Sequence, residues 1–99
     1  MTTREIRLKA AEILEASEDA WCQGAARQEL SEGKYAYCLV GACQEAAGYF
    51  ANWYNVAAYS IARDARAAAI EAAGTTNASG WNDAPGRTRE QVIAALRAV

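Results

Sequence analysis

The chain has 99 residues, 53% of them hydrophobic and 22% charged, a balance that predicts one globular domain over residues 1–99 and excludes a disordered chain. Ten basic against twelve acidic residues leave a formal net charge of −2. No stretch gathers the basic ones, so nucleic acid is not an expected partner. A folded chain of this length exposes roughly 5,500 Å² by surface scaling, which leaves a modest core.

The first helix is predicted to start at Thr2. Thr2 and Glu5 form a T-x-x-E capping box, in which each side chain satisfies the other's orphan backbone N–H. Ile6, Ala10, Ile13 and Leu14 then mark its core stripe. Ser17, Glu18 and Asp19 end the pattern, and residues 21–26 follow without a clean period, with room for a short helical turn. Ser31, Glu32 and Gly33 read as a turn. Residues 35–47 read as a second helix with Leu39, Ala42, Cys43 and Ala46 on one face, stopped by Gly48. A third, long helix is expected from an Asn52 cap to about residue 73, with Gly74 at its end. Its small-residue seam would be Ala57, Ile61, Ala65, Ala68 and Ala72, with Arg63, Asp64, Arg66 and Glu71 in solvent. Residues 75–88 read as loop, after which a Thr88/Gln91 capping box launches a last helix that buries Val92, Ile93 and Leu96. No segment shows β-branched alternation. The expected fold class is therefore all-α, a compact bundle of about four helices with two irregular loops.

Absent residue types remove whole chemistries. Without histidine there is no Ser-His-Asp or Cys-His apparatus and no His-ligated metal site. Cys22, Cys38 and Cys43 include no C-x-x-C pair, so they are expected to be reduced packing residues rather than a disulfide framework or zinc knuckle. No metal, cofactor or catalytic residue is assigned. No apolar run nears the roughly 18 residues of a membrane span. The N-terminal stretch carries Arg4, Glu5, Arg7 and Lys9 in place of an apolar signal core, so a soluble cytoplasmic protein without a membrane partner is expected.

Three segments stand out: Trp21-Cys22-Gln23-Gly24-Ala25, Cys38-Leu39-Val40-Gly41-Ala42, and Trp81-Asn82-Asp83-Ala84-Pro85-Gly86-Arg87-Thr88. In that order the chain resembles a small uncharacterised family, a domain of unknown function found in actinobacteria, other bacteria and actinophages. The likeness runs from about Ile6 to Leu96. The family's commoner second segment has Trp where this chain has Tyr37, and its preceding loop is often longer. The resemblance carries no activity; it implies a phage or actinobacterial accessory protein. Twenty-five alanines, and arginine at eight of the ten basic positions, fit a GC-rich genome of that kind.

The Trp81 to Thr88 segment is rich in recognition chemistry. Trp81 offers an apolar face and one donor, Asn82 a donor and an acceptor, and Asp83 and Arg87 opposite charges. It could hold a small polar, nucleotide-like ligand near the following helix N-terminus. Equally, Asp83 could cap backbone groups, Arg87 pair with it, and Trp81 pin the loop to the core. Trp21, Gln23 and Gly24 admit the same two readings, a cleft edge or a lock between the two irregular segments. The lock requires Trp21, Gln23 and Asp83 to be buried and close together, with an Asp83 substitution unfolding the domain.

Residues 49–59 hold Tyr49, Phe50, Trp53, Tyr54 and Tyr59, the best candidate for a partner surface, since Tyr and Trp concentrate at interface hot spots. Phe50, Trp53, Ala57 and Ile61 share one broad helical stripe, with Tyr54 and Tyr59 elsewhere, so part of this run could instead fill the core. The expected function is non-enzymatic binding of a host protein, or of a second copy as a homodimer. Alternatives are a nucleotide-like ligand on Trp81 and Arg87, or a histidine-independent enzyme using Asp83 as base with Arg87, or Cys22 as nucleophile.

Overall fold

The computed structural model describes residues 1–52 and 55–98. In chain order it contains α1 (Thr3–Glu15), a hairpin of β1 (Arg27–Ser31) and β2 (Lys34–Tyr37), α2 (Leu39–Ala46), α3 (Val56–Ile70), α4 (Ala78–Asn82) and α5 (Arg89–Arg97). Short 3-10 turns lie at Tyr49–Ala51 and Glu71–Ala73. The accessible surface of 5555 Å² is that expected for a chain of this size. No helix among the described residues is long and apolar enough to cross a membrane.

Both expected capping boxes are present. Thr2 and Glu5 exchange bonds at the start of α1, and Thr88 and Gln91 do so at the start of α5. One core forms where α1 packs against α2, α3 and α5. Ile6, Ala10 and Leu14 of α1 meet Leu39, Ala42, Cys43 and Ala46 of α2, with Val92, Ile93 and Leu96 closing from α5. Arginine ties α5 to α1: Arg89 Nη1 donates to the carbonyls of Leu14 and Ser17, both at 2.9 Å. Arg97 bonds Glu15, and the buried Arg7 donates to the Ala98 carbonyl.

The all-α expectation is overturned by the antiparallel hairpin, which makes the fold mixed α/β with five α-helices among the described residues. The Ser31-Glu32-Gly33 turn is real, but it joins strands. Gly33 takes φ +76°, and the register slips between Glu29 and Ser31, a bulge of the kind that closes short hairpins. Strand identity is invisible locally because β1 is largely exposed and neither strand has β-branched residues. Its support comes from a distance: Tyr37 N–H donates to the Ala20 carbonyl at 2.8 Å, and Cys22 N–H to the Tyr37 carbonyl at 3.1 Å. Residues 21–26 accordingly contain an isolated bridge at Trp21 and bends, not a helical turn.

Residues 35–37 are therefore strand, and the second helix starts at Leu39, capped by Cys38, whose Sγ accepts from Gly41 N–H at 3.4 Å. The third helix starts at Val56 with Asn55 as its cap, not at Asn52. Its buried seam is Ala58, Ala62, Ala65 and Ala69 with Ile70, while Ala57, Ala68 and Ala72 are exposed and Ile61 is half-buried. Alanine occupies so many positions here that several stripes fit the period equally. Trp81 and Asn82 lie on α4, not in a loop.

Candidate functional site

Asn77 caps α4 by accepting from Gly80 N–H at 3.0 Å, and this short helix delivers Asn82 to the centre of the molecule, where it is 0% exposed. Its Oδ1 accepts from Trp21 Nε1 at 2.7 Å and from Leu39 N–H at 3.0 Å. Its Nδ2 donates to the Cys22 carbonyl at 3.1 Å and to Asp83 Oδ1 at 2.9 Å. All the hydrogen-bonding capacity of the amide is thus used. Leu39 is the first residue of α2, whose opening N–H groups have no partner within their own helix. Asn82 satisfies one of them from 43 residues away and joins the Trp21 segment to the same point.

Around this buried amide the other candidate residues form an outer ring. Gln23 Nε2 donates to the carbonyls of Asn82 at 3.0 Å and Ala84 at 3.2 Å, and Gly24 N–H donates to Asp83 Oδ1 at 3.0 Å. The two irregular segments therefore meet. Gln23 and Asp83 stay exposed and Trp21 half-buried, so the residue that carries the junction inside the protein is Asn82. Arg87 is not paired with Asp83 among the described residues. Its guanidinium carbon lies 4.0 Å from the Trp81 ring centre, and its Nε donates to the Trp81 carbonyl at 2.8 Å. A recess of about 170 Å³ remains beside the junction, between Gly24, Cys38, Val40, Ser79 and Asp83. The junction is close-packed elsewhere: a Cβ on Gly41 would lie 1.6 Å from the Ala26 carbonyl oxygen, so only glycine lets α2 meet that segment.

A second constellation forms on the hairpin. Tyr35 and Tyr37 face the same side of β2, with ring centres 6.5 Å apart, and Tyr37 is 6.1 Å from Phe50. Tyr49 continues the series at 5.7 Å from both Phe50 and Tyr59. The Arg27 guanidinium carbon lies 4.2 Å from the Tyr35 ring centre and 4.4 Å from that of Phe50, within cation–π range. Tyr35, Tyr49 and Phe50 are half-buried and Tyr59 exposed. Trp53 and Tyr54 lie outside the described residues. Arg27, Tyr35 and Tyr37 escaped the sequence reading because the run of aromatics at 49–59 carried the signal. Their alternation at every second position in a Lys-Tyr-Ala-Tyr strand was the available clue. The same two tyrosines wall a cleft of about 640 Å³, bounded also by Lys9, Ile13, Ser17 and Glu45. Burial, and then the nearby Glu45 carboxylate, push the pKa of the Tyr37 hydroxyl up and so disfavour its ionisation.

All three cysteines are free and buried. Burial, then Cys38 and Asp83, pushes the Cys22 thiol up to about 11, and burial pushes Cys43 up to about 12. The Cys38 thiol is raised by burial as well, against the opposing backbone donors of Gly41 and Val40. Thiols held so far from ionisation are poor nucleophiles at neutral pH. No group of three or more His, Cys, Asp or Glu side chains placed to hold a metal occurs among the described residues.

A family model described as a family of unknown function, DUF6197, matches residues 1–99. The chain belongs to that family. No curated protein and no solved structure matches it. Membership in DUF6197 agrees with the expectation of an uncharacterised family and carries no activity.

Two outcomes test this geometry. Asn82→Ala leaves the Trp21 indole N–H, the Leu39 amide and the Cys22 carbonyl without their partner. It is expected to cost about 3 kcal/mol or more in urea unfolding, while Asp83→Ala, at the solvent edge, costs about 1 kcal/mol. Equal losses would contradict the central place given to Asn82. The thiols set the alkaline limit. Unfolded cysteine ionises near about 8.5, below the folded values, so above that pH the unfolded state sheds protons first and stability falls as pH climbs towards the folded values. The melting temperature is expected to drop between about pH 9 and 11, with a shallower drop in Cys22→Ala/Cys43→Ala; an unchanged slope would refute the assignment.

Proposed function

We propose that this DUF6197 protein is a non-enzymatic binding protein, a phage or actinobacterial accessory that engages a host protein in the host cytoplasm through its aromatic face. The observation that carries the reading is the continuous series Tyr35, Tyr37, Phe50, Tyr49 and Tyr59 with Arg27 stacked upon it, partly open to solvent and running into the cleft beside Lys9 and Glu45. Large rings with polar tips, flanked by arginine, are what interface hot spots are made of. The alanine and arginine bias and the three family segments support the phage or actinobacterial setting.

Two other readings have less support. A nucleotide-like ligand on Trp81 and Arg87 gains no support from the recess at the junction, which neither residue lines and which, at about 170 Å³, is small for such a ligand. Arg87 already sits over the Trp81 ring, its guanidinium carbon 4.0 Å from the ring centre. An enzyme using Asp83 as base lacks an opposed Arg87, and one using Cys22 starts from a thiol raised to about 11.

The test is capture of partners from host cytosol by the wild-type chain and by Tyr49→Ala/Tyr59→Ala, with Glu12→Ala as an exposed control on α1. Capture should fall by about thirtyfold or more in the tyrosine variant and stay level in the control, with circular dichroism unchanged in both. Equal capture by all three proteins would reject the aromatic face as the working surface.

A further inference from the structure

The cleft between the end of α1 and the hairpin has a volume of about 640 Å³, within the roughly 300–1,000 Å³ of small-molecule sites. Ile13, Ala16 and Ala20 give it an apolar floor, and the rings of Tyr35 and Tyr37 wall it. Arg27 lies over the Tyr35 ring, which still reaches the cleft. Three charged side chains line it as well: Lys9 from α1, Lys34 from β2 and Glu45 from α2. Lys34 is already offset, its Nζ 3.3 Å from Asp19 Oδ2, and Ser17 Oγ donates to the other oxygen of that carboxylate at 2.7 Å. Lys9 and Glu45 differ from it. Neither makes an ion pair or a hydrogen bond among the described residues, with each other or with any third group. Glu45 is half-buried, and a carboxylate partly shielded from water gains more from a counter-charge than an exposed one does.

We propose that this cleft binds a small zwitterion that carries an aromatic ring, the chemistry shared by a free aromatic amino acid and a short peptide with free ends. The occupant follows from the charges. With Lys34 offset by Asp19, the cleft presents one open positive group and one open negative group. A simple anion attracted by Lys9 is repelled by Glu45, and a simple cation meets the reverse. A zwitterion satisfies both, its ammonium on Glu45 and its carboxylate on Lys9, each a charge-assisted contact. The ring then packs against Tyr35 and Tyr37 in place of water, and an ammonium beside tyrosine faces is favoured in its own right. The proposal goes beyond the aromatic-face reading, because Tyr49 and Tyr59 do not line this cleft and no host protein is needed to fill it. A ligand of about fifteen non-hydrogen atoms in a site this open binds weakly, with dissociation near about 1 mM or somewhat tighter.

The test is titration of the purified chain with L-tryptophan and with glycyl-L-tryptophan, followed by amide NMR shifts; the tighter of the two names the source. Shifts should centre on Ala16, Ala20 and Gly33. On the wild type, N-acetyl-L-tryptophan, which lacks the ammonium, and L-tryptophanamide, which lacks the carboxylate, should each bind at least about tenfold more weakly than L-tryptophan. Glu45→Gln should weaken L-tryptophan to the same degree and leave N-acetyl-L-tryptophan unchanged. Lys9→Gln should weaken L-tryptophan and leave the amide unchanged, a pairing of ligand and variant that a general change in the fold would not produce. Tyr49→Ala/Tyr59→Ala should bind as the wild type does. Absence of any shift with either ligand up to about 10 mM would overturn the proposal while leaving partner capture by the aromatic face to its own test. So would shifts centred elsewhere, or binding indifferent to both capped ligands and to both Glu45→Gln and Lys9→Gln.

Discussion

The arrangement of this protein depends on one buried side-chain amide. Asn82 sits in the interior with two acceptor bonds and two donor bonds, reaching a tryptophan from one irregular segment, the first amide of α2, a carbonyl beside that tryptophan and its own neighbour Asp83. A polar group in that position is costly unless it is fully partnered, and the penalty for losing any partner makes the arrangement specific. It also explains why the ends of the chain's irregular stretches coincide. The segment after α1, the N-terminus of α2 and the C-terminus of α4 converge because a single amide needs all three.

The remainder of the fold divides into a framework and a face. Alanine lets α3 lie close against α1 and α2, with a buried seam at Ala58, Ala62, Ala65 and Ala69, and arginines on α1 and α5 bond carbonyls and Glu15 across the α1–α5 contact. Small side chains leave little apolar bulk, and the described tyrosines and Phe50 gather instead on the hairpin side, where Arg27 lies over Tyr35 and Phe50. That separation bears on function: the groups that first look chemical, Asp83 and Arg87, hold backbone and tryptophan, and the surface rich in interface-type residues lies elsewhere.

What could be read from the sequence was whatever is local. The Thr2/Glu5 and Thr88/Gln91 boxes bond across three residues and appear as written, and the α5 stripe of Val92, Ile93 and Leu96 is an unambiguous period. The hairpin was hidden because β1 and β2 lack β-branched residues and are held by Ala20 and Cys22, far from the turn that joins them. The α3 seam was misplaced by one position because alanines flank every candidate stripe. Of the candidate site, the meeting of Trp21, Gln23 and Asp83 was foreseeable from residue chemistry, but the central place of Asn82 was not. Its partners are Trp21, Cys22 and Leu39, and no spacing rule connects them.

Hydrogen exchange at the junction tests the central claim most directly. The Trp21 indole N–H and the Leu39 amide N–H are expected to exchange as slowly as the most protected amides of α1, because releasing either one requires opening the whole core. Rapid exchange of both, with α1 still protected, would show that Asn82 is a peripheral contact and that something else holds the irregular segments together.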